Sequence, residues 1–199
     1  MVSYKTSRII PIILTLVIIA IAIAALVSLA RVVFFSGNTN ETVIDTSREA
    51  LLSTSADSSV RMTVRGAIVA NEEFRSYQIN ITPNSRTLTT YTSYLDRPID
   101  TIALDNNKPA YEEFVFALDK ANLVRGDQLE GDDNDLRGIC ATGRVYEFQV
   151  LKAGEPVKQL WTSTCKGSSG SLEASVDQLT NLFTSQIPDA RSLISKLDL

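Results

Sequence analysis

The sequence predicts an α+β protein: an N-terminal transmembrane helix followed by an antiparallel sheet with helices packed on one face. Three observations carry this prediction. A long uncharged apolar run lies near the N-terminus. Further along, segments of alternating polarity, typical of half-buried strands, occur in two groups, and a segment with helical periodicity separates those groups. Strands and helices that are segregated in this way are typical of the α+β class.

The apolar run is long enough to cross a membrane. Residues 9–30 are 22 consecutive uncharged residues, and the apolar character continues to residue 35. As a helix, about 22 residues span about 33 Å, enough for a hydrocarbon core of about 30 Å. Residues 9–35 are therefore predicted to be a transmembrane helix that anchors the chain in a lipid bilayer. A signal peptide cleaved after Ala30 is the alternative, although such signals usually have shorter apolar regions.

The basic residues beside this segment predict its orientation. Lys5 and Arg8 precede it, and Arg31 is the one basic residue near its far end. Because cytoplasmic flanks carry the excess of Lys and Arg, residues 1–8 are predicted to be cytoplasmic, and the chain from about residue 36 onward is predicted to lie outside the cell. The predicted location is the plasma membrane, with a single span.

The charge distribution argues against nucleic acid as a partner. The first 40 residues contain three basic side chains and no acidic one, so the other 159 residues carry 16 basic and 23 acidic side chains, a net charge of −7. Phosphate binding requires a surplus of Lys and Arg on one face.

The chain contains no histidine. This absence excludes Ser-His-Asp and Cys-His nucleophilic chemistry and removes the usual nitrogen ligand of zinc. No glycine-rich phosphate loop is present, and the sequence predicts neither a cofactor nor a catalytic site. An envelope hydrolase that uses two carboxylates remains as a minor alternative, which would require both groups to converge in one cleft.

A hairpin is predicted in the C-terminal half. Apolar and polar residues alternate over 146–150 and again over 157–161, and a turn at 152–155 separates the two runs. Pairing Tyr146 with Trp161 and Val150 with Val157 places the large apolar side chains on one face.

This hairpin brings the two cysteines together. In the predicted register, Cys140 and Cys165 lie at its open end, within about one residue pair of facing each other. Because disulfides form and persist outside the cytoplasm, we predict a disulfide between them. Two free buried thiols are the alternative.

The remaining elements are predicted from periodicity and from capping and turn residues. Residues 36–59 form a linker with a short helix near residues 47–52, and residues 60–199 form the extracytoplasmic domain. Asn106 or Asn107 caps a helix that begins near Pro109. The last long helix, at 172–187, is predicted to pack on the hairpin as the core of the domain. Three further strands are predicted at residues 60–69, 74–82 and 86–94.

One loop is strongly acidic. Its five carboxylates lie within nine residues: Asp127, Glu130, Asp132, Asp133 and Asp135. Such a density of oxygen ligands can hold calcium, but Arg137 occupies a ligand position of the loop pattern that starts at Asp133. A solvated acidic loop is therefore predicted, with a calcium site as the alternative.

Part of the sequence resembles uncharacterised single-pass membrane-anchored exported proteins of small-genome bacteria, over residues 1–30 and 137–190. The residues that carry the resemblance are Arg137-Gly138-Ile139-Cys140, Gly143, Tyr146, Phe148, Leu160-Trp161, Cys165, Leu182-Phe183 and Gln186-Ile187-Pro188-Asp189. The resemblance implies no activity and assigns no functional residue. The order of hairpin and helix is also similar to that of small protease-inhibitor domains.

The function predicted from these features is that of a non-enzymatic domain tethered to the membrane on its outer side. It would act as a structural or interaction module of the cell envelope with a protein or glycan partner. The alternative is a ligand-binding or protease-inhibitor-like domain, which would use a concave pocket or the loop at residues 125–138.

Overall fold

The computed structural model describes residues 14, 17–19, 21–22, 46–95 and 97–199. Most of the predicted membrane helix, residues 9–35, lies outside the described residues, as do Lys5, Arg8 and Arg31; residues 14, 17–19 and 21–22 are helical. Among the described residues, no helix combines the length and the apolar character needed to cross a bilayer.

The chain divides into two compact units, Met1–Ile44 and Asp45–Leu199, and the sheet belongs to the second. In the described part of the chain, six strands form one antiparallel sheet in the order β4-β3-β2-β1-β5-β6. The elements are α1 (Ser47–Leu52), β1 (Ser58–Arg65), β2 (Arg75–Ile81), β3 (Ser85–Thr92), β4 (Arg97–Asp105), α2 (Lys108–Lys120), a short 3₁₀ helix (Gly131–Asn134), β5 (Val145–Lys152), β6 (Glu155–Ser163), α3 (Val176–Thr184) and α4 (Ala190–Ile194). The α+β class is thus confirmed.

One face of the sheet, the inner face, carries the main core. In β1 the buried residues Val60, Met62 and Val64 alternate with polar residues, and Val60 lies between Ile81 of β2 and Val150 of β5. The helices cover this face, and α3 contributes Phe183, which is 0% exposed. The alternation predicted in the first strand is confirmed, because one face is buried and the other is polar.

Helix α2 begins as predicted. The side chain of Asn107 accepts a hydrogen bond from the backbone N–H of Ala110 at 3.0 Å, and Pro109 occupies the first turn. An N-cap of this kind satisfies one of the amides that have no partner inside the helix. The predicted apolar stripe is buried against the core: Tyr111, Phe114, Val115 and Leu118.

The short helix α1 is also confirmed, and it is part of the compact unit. Its Leu51 is fully buried in the main core. Arg48 donates two hydrogen bonds to the carboxylate of Asp119 on α2, at 2.7 and 2.9 Å. The helix is therefore packed on α2 by an apolar contact and an ion pair.

Strand β4 is an element that the sequence did not predict. Most of its side chains are exposed. Its pairing with β3 shifts register between Thr90 and Tyr91, which marks a β-bulge. Proline and aspartate are depleted in strands, and β4 contains Pro98 and Asp100. These residues interrupt the alternation that is typical of a strand. They are tolerated at the edge of a sheet, which is where β4 lies.

The predicted hairpin between β5 and β6 forms, but its predicted register is wrong by one residue. The turn at Ala153 and Gly154 is present, and Lys152 pairs with Glu155. A bulge then shifts the pairing, so that Trp161 faces Glu147 while Tyr146 faces Thr162. Because side chains alternate between faces, this shift moves Trp161 to the opposite face of the sheet from Phe148.

That opposite, outer face carries a second, smaller cluster. Trp161 is 3% exposed there and packs with Cys140 and Val145. The backbone N–H groups of Ser171 and Leu172 donate to the Trp161 carbonyl at 2.9 and 3.0 Å, which covers the free edge of β6. The prediction that the whole hairpin shares one apolar face with the last helix is therefore wrong for Trp161.

The last long helix is shorter than predicted. It begins at Val176, where the side chain of Ser175 accepts a hydrogen bond from the N–H of Gln178 at 3.3 Å, and it ends at Thr184. Leu172, predicted as its first apolar residue, precedes the helix. Packing against the hairpin is nevertheless seen at Phe183, whose ring centroid lies 6.0 Å from that of Phe148 on β5.

Candidate functional site

A cleft lies on the outer side of the sheet, where the ends of β1 and β5 meet the loop before β5. Its volume is about 740 Å³. The floor is formed by Arg65, Val145 and Glu147 of these two strands, and the loop residues 134–140 form one wall. The N–H of Ile68 donates to the carbonyl of Ala141 at 2.9 Å, which joins the opposite rim to the loop.

A disulfide fixes the loop wall in place. Cys140, which lines the cleft, is bonded to Cys165 just beyond the end of β6, with the two Cα atoms 5.4 Å apart. The predicted pairing is confirmed. Gly143 lies against this bond, because a Cβ added there would overlap the Thr164 hydroxyl and lie 3.0 Å from the sulfur of Cys140. The disulfide and this close packing together hold the wall on the sheet.

An ion pair occupies the floor. The Nη1 atom of Arg65 donates to Oε2 of Glu147 at 2.6 Å, and Glu147 is 5% exposed. A buried carboxylate is costly unless it is paired. Within the part of the chain that the structure describes, neither side chain makes a further hydrogen bond. The other guanidinium N–H groups and Oε1 of Glu147 are therefore free to contact a ligand.

The rim opposite the loop is aromatic and apolar. The rings of Phe74 and Tyr94 stack with centroids 3.9 Å apart and an interplanar angle of 9°. The Tyr94 hydroxyl donates to the Val69 carbonyl at 2.8 Å, although the residue is 47% exposed. Both Tyr94 and Ile68 line the cleft. The rim thus holds a fixed aromatic ring and an aliphatic side chain beside open solvent.

The backbone that presents Tyr94 is strained. Ser93, Tyr94 and Leu95 have φ angles of 58°, 51° and 70°, three successive residues in the left-handed region although none is glycine. Each such residue has a conformational cost of order 1 kcal/mol or more, and residues of this kind cluster at ligand-binding and active sites. The strain, together with the stack on Phe74, marks Tyr94 as a functional candidate.

The acidic loop leads into the wall, and of its five carboxylates Asp135 lines the cleft. Asp132 and Asp133 lie on the 3₁₀ helix and are exposed. Asp135 accepts hydrogen bonds from Nε of Arg137 at 2.7 and 2.9 Å. In residues 46–95 and 97–199, no three acidic or cysteine side chains come together in a way that could hold a metal ion. The calcium alternative thus has no structural support in that region.

Asp135 is expected to titrate well below the usual range of an aspartate. The Arg137 side chain lowers the pKa of Asp135 from an ordinary 3.8 to about 2. Because the folded-state pKa is depressed, the pair stabilises the fold above about pH 3.8 and this contribution is lost as the pH falls towards 2. Carboxyl carbon NMR should give a midpoint near pH 2 that moves up in Arg137→Gln but not in Arg125→Gln. A wild-type midpoint near 3.8 would contradict the pairing.

The neighbouring carboxylates are expected to matter little for stability. Asp132→Asn with Asp133→Asn should change the free energy of unfolding by no more than about 0.5 kcal/mol, because both side chains are exposed. Thermal unfolding with and without millimolar calcium checks this. A calcium-dependent rise of several degrees that the double variant abolishes would show that the loop binds calcium.

The sequence predicted only part of this site. The disulfide Cys140–Cys165 and the acidic loop were predicted, and each contributes one residue to the cleft lining, Cys140 and Asp135. The aromatic rim and the ion pair were missed. Tyr94 was interpreted as a strand residue. For Arg65 and Glu147, the sequence showed only that two strands contain residues of opposite charge, which did not indicate that the two residues form an ion pair.

The fold and the site define an α+β domain with a disulfide-tied cleft of mixed polarity. Comparison of the sequence with models of known protein families and with curated proteins finds no match to either.

Proposed function

We propose that the protein is a non-enzymatic binding domain, tethered to the plasma membrane and exposed outside the cell, and that the cleft is its binding site. The observation that carries the proposal is the composition of the cleft. Ligand sites of about 300–1,000 Å³ are typically lined by apolar and aromatic side chains with a few placed polar groups. Here an apolar rim and a wall of mixed polarity surround the ion pair of Arg65 and Glu147, and a second ion pair, Asp135 with Arg137, lies in the wall itself.

The tether and the location are supported by the sequence and by the disulfide. The uncharged run at residues 9–30 is long enough for a bilayer, and Lys5 and Arg8 before it favour a cytoplasmic N-terminus. The bond between Cys140 and Cys165 suits an oxidising compartment. A single tether supplies location and a high local concentration, which a binding module requires.

The ionisation of Asp135 argues against this carboxylate as the acid of a two-carboxylate hydrolase. Two carboxylates, Asp135 and Glu147, do line the same cleft. Each is bonded to an arginine, and the pKa of about 2 keeps Asp135 ionised at neutral pH. A two-carboxylate hydrolase requires one group to hold a proton for the leaving group. Asp135 cannot supply that proton.

The protease-inhibitor alternative has less support than cleft binding. An inhibitory loop has to project into the active site of an enzyme, whereas Leu129 and Leu136 of this loop pack against the Trp161 cluster. The Gln128 side chain also accepts a hydrogen bond from the N–H of Gln159 at 2.8 Å. The loop is held against the domain as a wall.

Site-specific photocrosslinking in intact cells tests the binding role. A photoreactive residue at position 68 should give a discrete adduct, while the same residue at position 116 should not. Ile68 and Phe116 are 45% and 44% exposed, so the two positions are matched in accessibility, but Phe116 lies on α2 on the other side of the sheet. Equal labelling at both positions, or none at position 68, would count against the cleft.

The tether is tested separately by the intact mass of the membrane-extracted protein. The full chain is expected. A protein shorter by the first 30 residues would show that the apolar segment is removed after Ala30.

A further inference from the structure

We propose that the occupant of the cleft is an extended segment of a partner protein in which a large apolar side chain is flanked by lysine or arginine. This inference rests on the proposed binding function and names the chemistry of the partner.

The apolar anchor is inferred from the rim. Ile68, Val69 and Tyr94 are 45%, 41% and 47% exposed and lie together, since the Tyr94 hydroxyl is bonded to the Val69 carbonyl. Leu136 and Ile139 of the loop wall also line the cleft, and both pack on the Trp161 cluster. Clusters of exposed apolar side chains at a concave site mark interaction surfaces, and tyrosine is enriched where binding energy concentrates. An apolar side chain inserted here would be covered from both sides.

The flanking cations are inferred from the charge around the cleft. Asp132 and Asp133 lie on the 3₁₀ helix directly before the wall, are exposed and form no ion pair within residues 46–95 and 97–199. The two arginines of the cleft, Arg65 and Arg137, are each bonded to a carboxylate and add no net positive charge. The charges that line the cleft balance, so the exposed Asp132 and Asp133 beside the wall give this side of the cleft a surplus of negative charge, which attracts basic groups and accelerates their association.

The extended backbone of a partner segment can form hydrogen bonds with the polar groups of the cleft floor that the ion pair does not use. Arg65 uses Nη1 and Glu147 uses Oε2 for their mutual bond, so N–H donors and one carboxylate oxygen remain side by side. A peptide unit presents one acceptor and one donor and can satisfy both. Neutral sugars could also use these groups, but their binding would not depend on the acidic wall.

The test uses the full chain in nanodiscs of phosphatidylcholine, with empty nanodiscs as the blank. The probe is a labelled peptide, acetyl-Gly-Lys-Lys-Phe-Lys-Lys-Gly-amide, followed by fluorescence anisotropy. It should bind at least about tenfold more tightly than versions with Ser for Phe or Glu for Lys. Raising sodium chloride from about 0.05 M to about 0.3 M should weaken binding several-fold.

Matched variants locate the effect. Ile68→Ser and Tyr94→Ser should each weaken probe binding about tenfold. The pair Asp132→Asn and Asp133→Asn should weaken it about threefold or more and flatten its salt dependence. The pair Glu112→Gln and Glu113→Gln removes the same charge from exposed positions on α2 and should change nothing. Unchanged melting temperatures confirm that every variant is folded.

The outcomes separate this inference from the binding role itself. No probe binding, equal binding of the acidic or Phe-free peptide, or an equal effect of the two charge pairs would overturn the basic–apolar partner. If crosslinks at position 68 still formed in cells, the binding role would stand with a different ligand, and displacement by a neutral oligosaccharide would then identify a glycan. If those crosslinks were absent too, both proposals would fail.

Discussion

Replacing Phe183 by Ala is expected to lower the free energy of unfolding by about 3 to 5 kcal/mol. The Phe183 side chain is fully buried, and its ring meets Phe114 of α2 edge to face at a centroid distance of 5.3 Å and Phe148 of β5 at 6.0 Å. Its removal leaves a cavity where two helices meet the sheet, and a well-packed core can fill such a space only in part.

The matched control is Phe116→Ala on α2. This phenylalanine is 44% exposed, so its replacement should change stability by about 0.5 kcal/mol or less. Trp161 is the sole tryptophan, and its fluorescence reports unfolding in both variants. Equal stability of the two variants would show that α3 does not pack on the sheet through Phe183.

Replacing Trp161 by Ala is expected to be about as costly, at about 3 to 5 kcal/mol, although the residue lies on the other face of the sheet. It is 3% exposed and packs with Cys140 and Val145 beneath the loop. Gly170 lies directly on it, because a Cβ at that position would approach the ring atom Cε3 to 2.7 Å. The loss should therefore also loosen the cleft wall and weaken ligand binding.

The unfolding of this variant is followed by circular dichroism, because the substitution removes the fluorescent side chain. The control is Trp161→Phe, which keeps an aromatic ring. The indole Nε1 is buried and has no hydrogen-bond partner in the described part of the chain. The change to Phe therefore reduces the volume of the side chain without removing a hydrogen bond. A melting temperature that is unchanged in Trp161→Ala would contradict the second cluster.

Elements with a strong local signal were predicted correctly. The cap at Asn107, the proline of the first turn and the stripe from Tyr111 to Leu118 all lie within one segment, and α2 follows them closely. Strand β1 was predicted for the same reason, because its alternation directly reflects one buried and one polar face.

The register of the hairpin could not be predicted in this way. Alternation alone favours placing Trp161 beside the other large apolar residues, but the bulge between Val150 and Leu151 places it beneath the loop. The extra residue is Val157, which is left 36% exposed. What stabilises this arrangement is packing by Cys140 and by the segment around Gly170, both distant in sequence.

The cleft was missed for a related reason. Arg65, Tyr94 and Glu147 come from three separate segments of the chain and are brought together only by the order of the strands and the position of the loop. Taken singly, each resembles an ordinary surface or strand residue. The disulfide was accessible to prediction because both cysteines flank one hairpin.

The two margins of the sheet resist aggregation by different means. The β6 margin is covered by neighbouring segments: Ser171 and Leu172 donate to the Trp161 carbonyl, and the Gln128 side chain accepts from the N–H of Gln159. The β4 margin has no such cover from the described residues and instead carries Pro98, a bulge and the charged residues Arg97, Asp100 and Asp105, which disfavour pairing with a strand of another molecule. Substitutions that remove this chemical protection would turn the β4 margin into a template for cross-β assembly, whereas equivalent changes in β6 would not.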